Sequence, residues 1–104
     1  MKIALDVLGG DSAPKSNIQG AIDYLNSCGN AAANLILVGD KKQIESSLKS
    51  YNYIPSKIEI LHTTEIVSMN EKPARIFKEK PDSSMVKAIE LVKNQHADAI
   101  LSAG

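Results

Sequence analysis

Four short apolar runs alternate along the chain with segments of helical periodicity, and this alternation constrains the fold more than any other feature. The runs lie at residues 2–6, 35–38, 58–61 and 97–103. Most are continuous, which is typical of strands buried on both faces of a parallel sheet. The third run, with Glu59 between Ile58 and Ile60, indicates a strand with one more exposed face. The pattern therefore predicts an α/β fold of three layers, with a mostly parallel sheet between flanking helices.

Helical spacing is clearest in three segments between these runs. Pro14 favours the first turn of a helix, and Gly29-Asn30 supplies residues that end one. Asp40 and the segment Asp82-Ser83-Ser84 offer N-cap oxygens to the other two. The apolar positions expected to face the sheet are Ile18, Ala21, Ile22 and Leu25, then Ile44 and Leu48, then Met85, Ala88, Ile89 and Val92. A short helix at residues 74–80 is also predicted.

The length and composition of the chain narrow its class. At 104 residues it suits one domain, and 43% hydrophobic residues predict a packed core. Twelve basic residues balance twelve acidic ones, which excludes the basic surface of a general nucleic-acid binder.

A local basic excess at residues 72–80 is either a face for an acidic partner or a solvated surface. The single cysteine, Cys28, allows no intrachain disulfide and favours a reducing cytoplasm, and no apolar run reaches the roughly 20 residues of a membrane-spanning helix.

The sequence ends just after its fourth apolar run, at Ser102-Ala103-Gly104. In a parallel α/β unit, the carboxyl end of a strand leads into a loop and a covering helix. We therefore expect residues 1–104 to be the amino-terminal part of a single larger α/β catalytic domain, with no internal boundary. Ile100 and Leu101 of the last strand are then expected to be poorly covered in the 104-residue polypeptide.

Ligands of open parallel sheets bind beyond the carboxyl ends of the strands, so the segments that follow the strands are the first candidates for a site. These segments are residues 6–12, 39–40, 62–65 and 102–104. Gly9 and Gly10 allow close approach of the backbone to a ligand, and a helix that starts at Pro14 favours an anion. The same residues also fit a tight turn in which Asp11 or Ser12 caps the helix. The nucleotide-binding patterns Gly-x-Gly-x-x-Gly and Gly-x-x-x-x-Gly-Lys-Ser/Thr are absent from the sequence.

Several polar side chains near these segments have two interpretations each. Asp6 and Asp11 offer carboxylate oxygens to a magnesium ion, or Asp6 holds loop amides instead. His62 has no second histidine or cysteine at ligand spacing, and it fits better as a hydrogen-bonding residue at a strand end. Ser83 and Ser84 are helix caps or donors to a bound phosphate. The spacing of these side chains alone does not define a catalytic set of a nucleophile, a base and an acid that orients the base.

Four motifs follow one another along the chain. They are Ala4-Leu5-Asp6-Val7-Leu8-Gly9-Gly10-Asp11-x-x-Pro14, Leu37-Val38-Gly39-Asp40, Asp82-Ser83-Ser84-Met85 and Ala97-Asp98-Ala99-x-x-Ser102-Ala103-Gly104. Taken together, they resemble the bacterial phosphate acyltransferase family, PlsX. The resemblance covers all 104 residues and about the first third of a full-length member.

The resemblance implies an enzyme that transfers a long-chain fatty acyl group from acyl carrier protein to inorganic phosphate. Its product is acyl phosphate, which serves phospholipid synthesis, and no metal or organic cofactor is implied. The implied fold is that of phosphate acetyltransferase and isocitrate dehydrogenase. Family members act as homodimers in the cytoplasm, at the surface of the membrane and without spanning it.

The resemblance implies that three groups of residues, chosen by their positions in the matching motifs, line the cleft or the phosphate side of the site. It assigns a catalytic role to none of them. The groups are Gly9, Gly10 and Asp11; Ser83 and Ser84; and Ser102, Ala103 and Gly104. Family members continue after Ser-Ala-Gly with Asn-Thr-Gly-Ala, so we expect the 104-residue polypeptide alone to be inactive. They also carry a basic residue directly before Asp-Ser-Ser-Met, where this chain has Pro81, which argues against a phosphate contact from Lys80. The alternative function is a non-enzymatic phosphate- or nucleotide-binding module of similar topology.

Overall fold

The computed structural model of the chain describes residues 1–8, 13–63 and 84–102. The strands in these ranges are β1 (Lys2–Asp6), β2 (Asn34–Gly39), β3 (Ile58–His62) and β4 (Ala99–Ser102). The helices are α1 (Lys15–Cys28), α2 (Lys41–Leu48) and α3 (Ser84–Lys93), and short 3-10 turns lie at Gly29–Ala31 and Pro55–Lys57. The helix expected at residues 74–80 lies outside the described residues.

The four strands form one sheet, in the order β3-β2-β1-β4, and every neighbouring pair is parallel. The parallel arrangement predicted from the apolar runs is therefore confirmed. β4 begins two residues later than its apolar run does. The reason is that the amide of Ala97 donates a hydrogen bond to the carbonyl oxygen of Leu91, at 3.0 Å. Ala97 therefore lies in the turn that follows α3 and not in the strand.

Helices cover both faces of the sheet, which confirms the three-layer prediction. On one face, α1 and α2 contribute the buried side chains predicted for them, namely Ile18, Ala21, Ile22, Leu25, Ile44 and Leu48. These residues form a cluster with Leu5, Val7, Leu35 and Leu37. On the other face, the cluster contains Ala4, Ile36, Val38, Ala88 and Ala97. Within the described ranges, no helix combines the length and the apolar character needed to cross a membrane.

α3 meets the sheet on a face that differs partly from the predicted one. Ala88 and Val92 pack against the second cluster as expected, but Leu91 joins them and Ile89 does not. The small side chain of Ala88 brings the helix close to the strands, and Leu91 lies three residues further on the same side of the helix. Val86, which the spacing left out, is also buried.

The predicted start of α2 and the predicted ends of α1 are present in the structure, whereas the cap predicted for α3 at residues 82–84 lies outside the described side chains. Asp40 accepts a hydrogen bond from the amide of Lys42, at 3.0 Å, and so caps α2. α1 follows Pro14 and ends at Gly29, whose φ of 56° is a conformation that favours glycine. Local sequence chemistry therefore sets where α1 and α2 begin and where α1 ends.

Gly39, the last residue of β2, has no room for a side chain. A Cβ atom at this position would lie 2.6 Å from Cγ2 of Val7, which is itself fully buried. We expect Gly39→Ala to lower the free energy of unfolding by about 1–3 kcal/mol, because the packed core must shift. A Cβ atom on Gly20 of α1 would meet no atom within 4 Å, and Gly20→Ala is expected to raise that free energy by about 0.5–1 kcal/mol. Urea unfolding of both variants checks the contrast, and effects of the same sign would contradict it.

β4 is poorly covered on both of its faces. Ile100 is 38% exposed and Leu101 is 61% exposed. Leu101 lines an apolar groove of about 450 Å³ together with Leu5 and Tyr24. The prediction that these residues lack cover is therefore confirmed.

We expect the 104-residue polypeptide to self-associate through this uncovered strand, because it exposes contiguous apolar surface. Leu101→Lys should shift it toward the monomer in sedimentation velocity experiments. Ile54→Lys is the matched control, since Ile54 is also exposed, at 39%, but does not line the groove. A polypeptide that is monomeric at every concentration, or two variants that behave alike, would contradict this expectation.

Candidate functional site

The carboxyl ends of β1 and β4 lie side by side at the switch point of the sheet. From β1 the chain continues to β2 and β3 on one side, whereas β4 lies on the other side of β1. Such a reversal leaves a crevice beyond the strand ends, and ligands of open α/β sheets bind there. The topology therefore places the carboxyl ends of β1 and β4, which belong to the first and fourth motifs, next to each other at this point.

A buried carboxylate joins the two strands at this point. Asp6 is only 2% exposed and lies opposite Ser102 in the β1–β4 register. Its Oδ2 accepts a hydrogen bond from Oγ of Ser102 at 2.9 Å, and its Oδ1 accepts one from the amide of Leu8 at 3.0 Å. Burial of a charged group is tolerated when donors satisfy it in this way. The prediction that Asp6 holds a loop amide is thus confirmed.

The segment after β1 is also held from the side of α1. The carbonyl oxygen of Val7 accepts a hydrogen bond from Nδ2 of Asn17, at 3.0 Å, and the amide of Val7 donates to the carbonyl oxygen of Val38 at 3.1 Å. Sequence reasoning did not identify Asn17. The available signal was an amide side chain in the first turn of the helix after a glycine-rich loop. The backbone that leads into Gly9 is therefore fixed before the loop begins.

The ends of β2 and β3 form a separate polar edge. Nδ1 of His62 accepts a hydrogen bond from the amide of Lys41, at 3.1 Å, so the neutral imidazole carries its hydrogen on Nε2. The predicted role of His62 as a hydrogen-bonding residue at a strand end is confirmed. Thr63, which follows it, is 2% exposed, and its Oγ1 has no hydrogen-bond partner among the described residues. Sequence reasoning did not single out this buried hydroxyl.

Comparison with known proteins identifies the family to which the chain belongs. The family model described as "Fatty acid synthesis protein" matches residues 1–104, which is the whole chain. The chain belongs to this family. In the described fold, the first motif segment pairs with the second at β1–β2 and with the fourth at β1–β4.

Relatives of the chain carry a more specific name than the family model does. The chain is 47% identical to "Phosphate acyltransferase" of Clostridioides difficile (strain 630), 45% identical to that of Dictyoglomus turgidum and 41% identical to that of Halothermothrix orenii. Each match covers 104 residues, all of this chain and 30% of the relative. The chain thus spans about 30% of the length of these relatives. The resemblance inferred from the four motifs is confirmed.

The structure describes only part of the set of predicted site residues. Ser102 is the last residue of β4 and contacts Asp6. Ser84 is the first residue of α3, although its side chain is not among those described. The other predicted positions, Gly9, Gly10, Asp11, Ser83, Ala103 and Gly104, lie outside the described residues. Their roles in a site stay predictions.

Asp11, the second carboxylate of the alternative magnesium interpretation, lies outside the described residues. Among the side chains that the structure describes, no three histidine, cysteine or acidic groups come together as a metal site. What the described part of the crevice can do chemically is narrower. Through the two oxygens of Asp6, it holds the amide of Leu8 and the hydroxyl of Ser102 at the carboxyl edge of the sheet.

Proposed function

We propose that the chain is the amino-terminal part of a phosphate acyltransferase that transfers a fatty acyl group from acyl carrier protein to inorganic phosphate. The product, acyl phosphate, would supply phospholipid synthesis. The observation that carries the proposal is the identity of 47% over all 104 residues to a protein named Phosphate acyltransferase. In this proposal, residues 1–104 begin a longer chain, called the full-length protein below, and belong to one larger α/β catalytic domain without an internal boundary.

The reaction requires an anion site beside a site for a thioester. An oxygen of hydrogen phosphate attacks the thioester carbonyl carbon, and a tetrahedral oxyanion forms. The carbon–sulfur bond then breaks, acyl phosphate forms, and the proton of the hydrogen phosphate passes to the departing thiolate. The protein accelerates these steps by holding the two reactants together and by directing hydrogen-bond donors at the developing oxyanion.

The crevice between β1 and β4 suits the phosphate side of this reaction. Glycine-rich loops and helix N-termini present backbone amides to anions, which binds phosphate without a dedicated cationic side chain. The residues proposed to line the phosphate side are Gly9, Gly10, Asp11, Ser83, Ser84, Ser102, Ala103 and Gly104. What supports this assignment is the hydrogen bond from Ser102 to Asp6, because it ties the start of one loop to the start of another.

The proposal extends to the surroundings of the full-length protein. We expect a cytoplasmic homodimer that associates peripherally with the membrane and acts on acyl carrier protein, without a metal or organic cofactor and without a nucleic-acid partner. Its support is the resemblance of the motifs and, for the acyltransferase class, the names of the relatives. The alternative of a non-enzymatic phosphate- or nucleotide-binding module is not favoured, because relatives that match the whole chain are named as transferases.

An assay of the full-length protein tests the proposal. Purified protein is incubated with long-chain acyl-acyl carrier protein and inorganic phosphate, and acyl phosphate is trapped with hydroxylamine as the hydroxamate. We expect product that depends on both substrates. Binding of phosphate without any consumption of the thioester would contradict the proposal and favour the binding module.

A further inference from the structure

Asp6 occupies the one described position from which a side chain reaches the starts of both loops at the crevice. The carboxylate contacts Leu8, two residues along the chain, and Ser102, which is 96 residues away. Each of the two bonds uses a different carboxylate oxygen. A single planar group therefore sets the spacing between the segment that leads to Gly9 and the segment that leads to Ala103.

Hydrogen bonds of Val7, the residue after Asp6, hold the end of β1 on the side away from β4. Val7 is bonded to Val38 of β2 through its amide and to Asn17 of α1 through its carbonyl oxygen. These bonds attach β1 to β2 and α1, but none of them reaches β4. At the carboxyl ends of β1 and β4, the described side-chain hydrogen bond that joins the two strands is the one from Ser102 to Asp6.

The burial of Asp6 decides what kind of role the carboxylate can have. An exposed carboxylate beside a phosphate would repel it, since like charges at short range are unfavourable outside bulk water. At 2% exposure, with backbone and hydroxyl donors on its two oxygens, Asp6 faces the protein and is suited to orienting loops. It is poorly placed to accept a proton from a substrate.

We propose that Asp6 is a positioning residue, which holds the loops after β1 and β4 at the separation that phosphate binding requires. This inference rests on the proposed function, and it adds to it a residue outside the set assigned from the motifs. Loss of the bond from Ser102 removes the described side-chain link between the ends of β1 and β4. The expected consequence is weaker binding of phosphate and a much smaller change in the use of the acyl donor.

Four variants of the full-length protein test the proposal by steady-state kinetics with each substrate varied in turn. Asp6→Asn keeps the size of the side chain but removes its charge and one of its two acceptor oxygens. If Oδ1 still accepts from the amide of Leu8, Oγ of Ser102 is met by the side-chain NH2, which leaves a neutral hydrogen bond that is weaker than the charged one. We expect it to raise KM for phosphate about tenfold, with KM for the acyl donor changed by less than about twofold. Ser102→Ala removes one bond and no charge, and should raise KM for phosphate less. The double variant should raise KM for phosphate little further than Asp6→Asn alone, because both substitutions act on the bond between Asp6 and Ser102.

Asp40→Asn is the matched control, since Asp40 also lies at a strand end but only caps α2, where asparagine serves equally well. It should leave both KM values unchanged. Lower melting temperatures with an unchanged KM for phosphate in both Asp6→Asn and Ser102→Ala would show that the bonds are merely structural and would overturn the proposal. Multiplying effects in the double variant would also overturn it, because Ser102 would then act independently of Asp6.

The same variants separate this proposal from the proposed function. If the unaltered full-length protein forms no acyl phosphate, the function is wrong, and isothermal titration with inorganic phosphate replaces the kinetics. A Kd for phosphate that rises about tenfold in Asp6→Asn and not in Asp40→Asn would still support the positioning role. A Kd that is unchanged in Asp6→Asn would contradict it.

Discussion

Gly10→Val in the full-length protein is expected to lower kcat/KM for phosphate by roughly 100-fold, which is the cost of a displacement of about 1 Å in a reacting group. Gly10 belongs to the loop after β1, where the backbone is proposed to approach the phosphate closely. A branched side chain excludes that approach and restricts the backbone conformations that glycine allows. Kinetics at varied phosphate, corrected for the folded fraction, measure the effect. Gly20→Val is the matched control, because a Cβ atom on Gly20 meets no atom within 4 Å.

Asp11→Ala in the same loop distinguishes a cap from a phosphate-loop residue. If Asp11 only caps α1, the variant should lose about 0.5–2 kcal/mol of stability and retain its turnover per folded molecule. If it orders the phosphate loop, as proposed, turnover should fall well beyond the loss of folded protein. Should Gly10→Val and Asp11→Ala both melt at lower temperature yet keep the original dependence on phosphate, the loop is structural and its assignment to the site is wrong.

The 104-residue polypeptide is expected to form no acyl phosphate from acyl-acyl carrier protein and phosphate. It matches 30% of the length of its named relatives, and it is proposed to be only part of one larger catalytic domain. Its β4 also leaves Leu101 61% exposed. Hydroxamate trapping at high enzyme concentration checks this expectation. Turnover by the purified polypeptide, lost in Gly10→Val, would mean that the essential groups lie within residues 1–104.

Much of the fold can be predicted because local patterns determine it. The apolar run at residues 2–6 predicts β1 at its observed bounds, and helical spacing predicts each buried position of α1, since burial follows a period of 3.6 residues along a helix. α3 is harder, because the contact of Leu91 depends on how closely Ala88 lets the helix approach the sheet. The late start of β4 depends on a bond from Ala97 to Leu91 that the apolar run does not reveal.

The candidate site can be predicted only at the level of segments. A location beyond the carboxyl ends of the strands follows from their parallel arrangement, which the apolar runs indicate, but the pairing of β1 with β4 does not. The bond between Asp6 and Ser102 joins residues 96 positions apart, and no local pattern specifies which strands become neighbours. The buried hydroxyl of Thr63 escapes prediction for a related reason, because burial at a strand end depends on the elements packed around it.

A hybrid chain tests the central claim most directly. Residues 1–104 of this chain replace the matching segment of the Clostridioides difficile relative, to which they are 47% identical, and the rest of that relative is kept. We expect the hybrid to form acyl phosphate from acyl-acyl carrier protein and phosphate at a rate comparable to that of the unaltered relative, and to lose this activity in Gly10→Val. A hybrid that melts at the same temperature as the relative, yet forms no acyl phosphate while the relative does, would contradict the claim that this chain is the amino-terminal part of a phosphate acyltransferase.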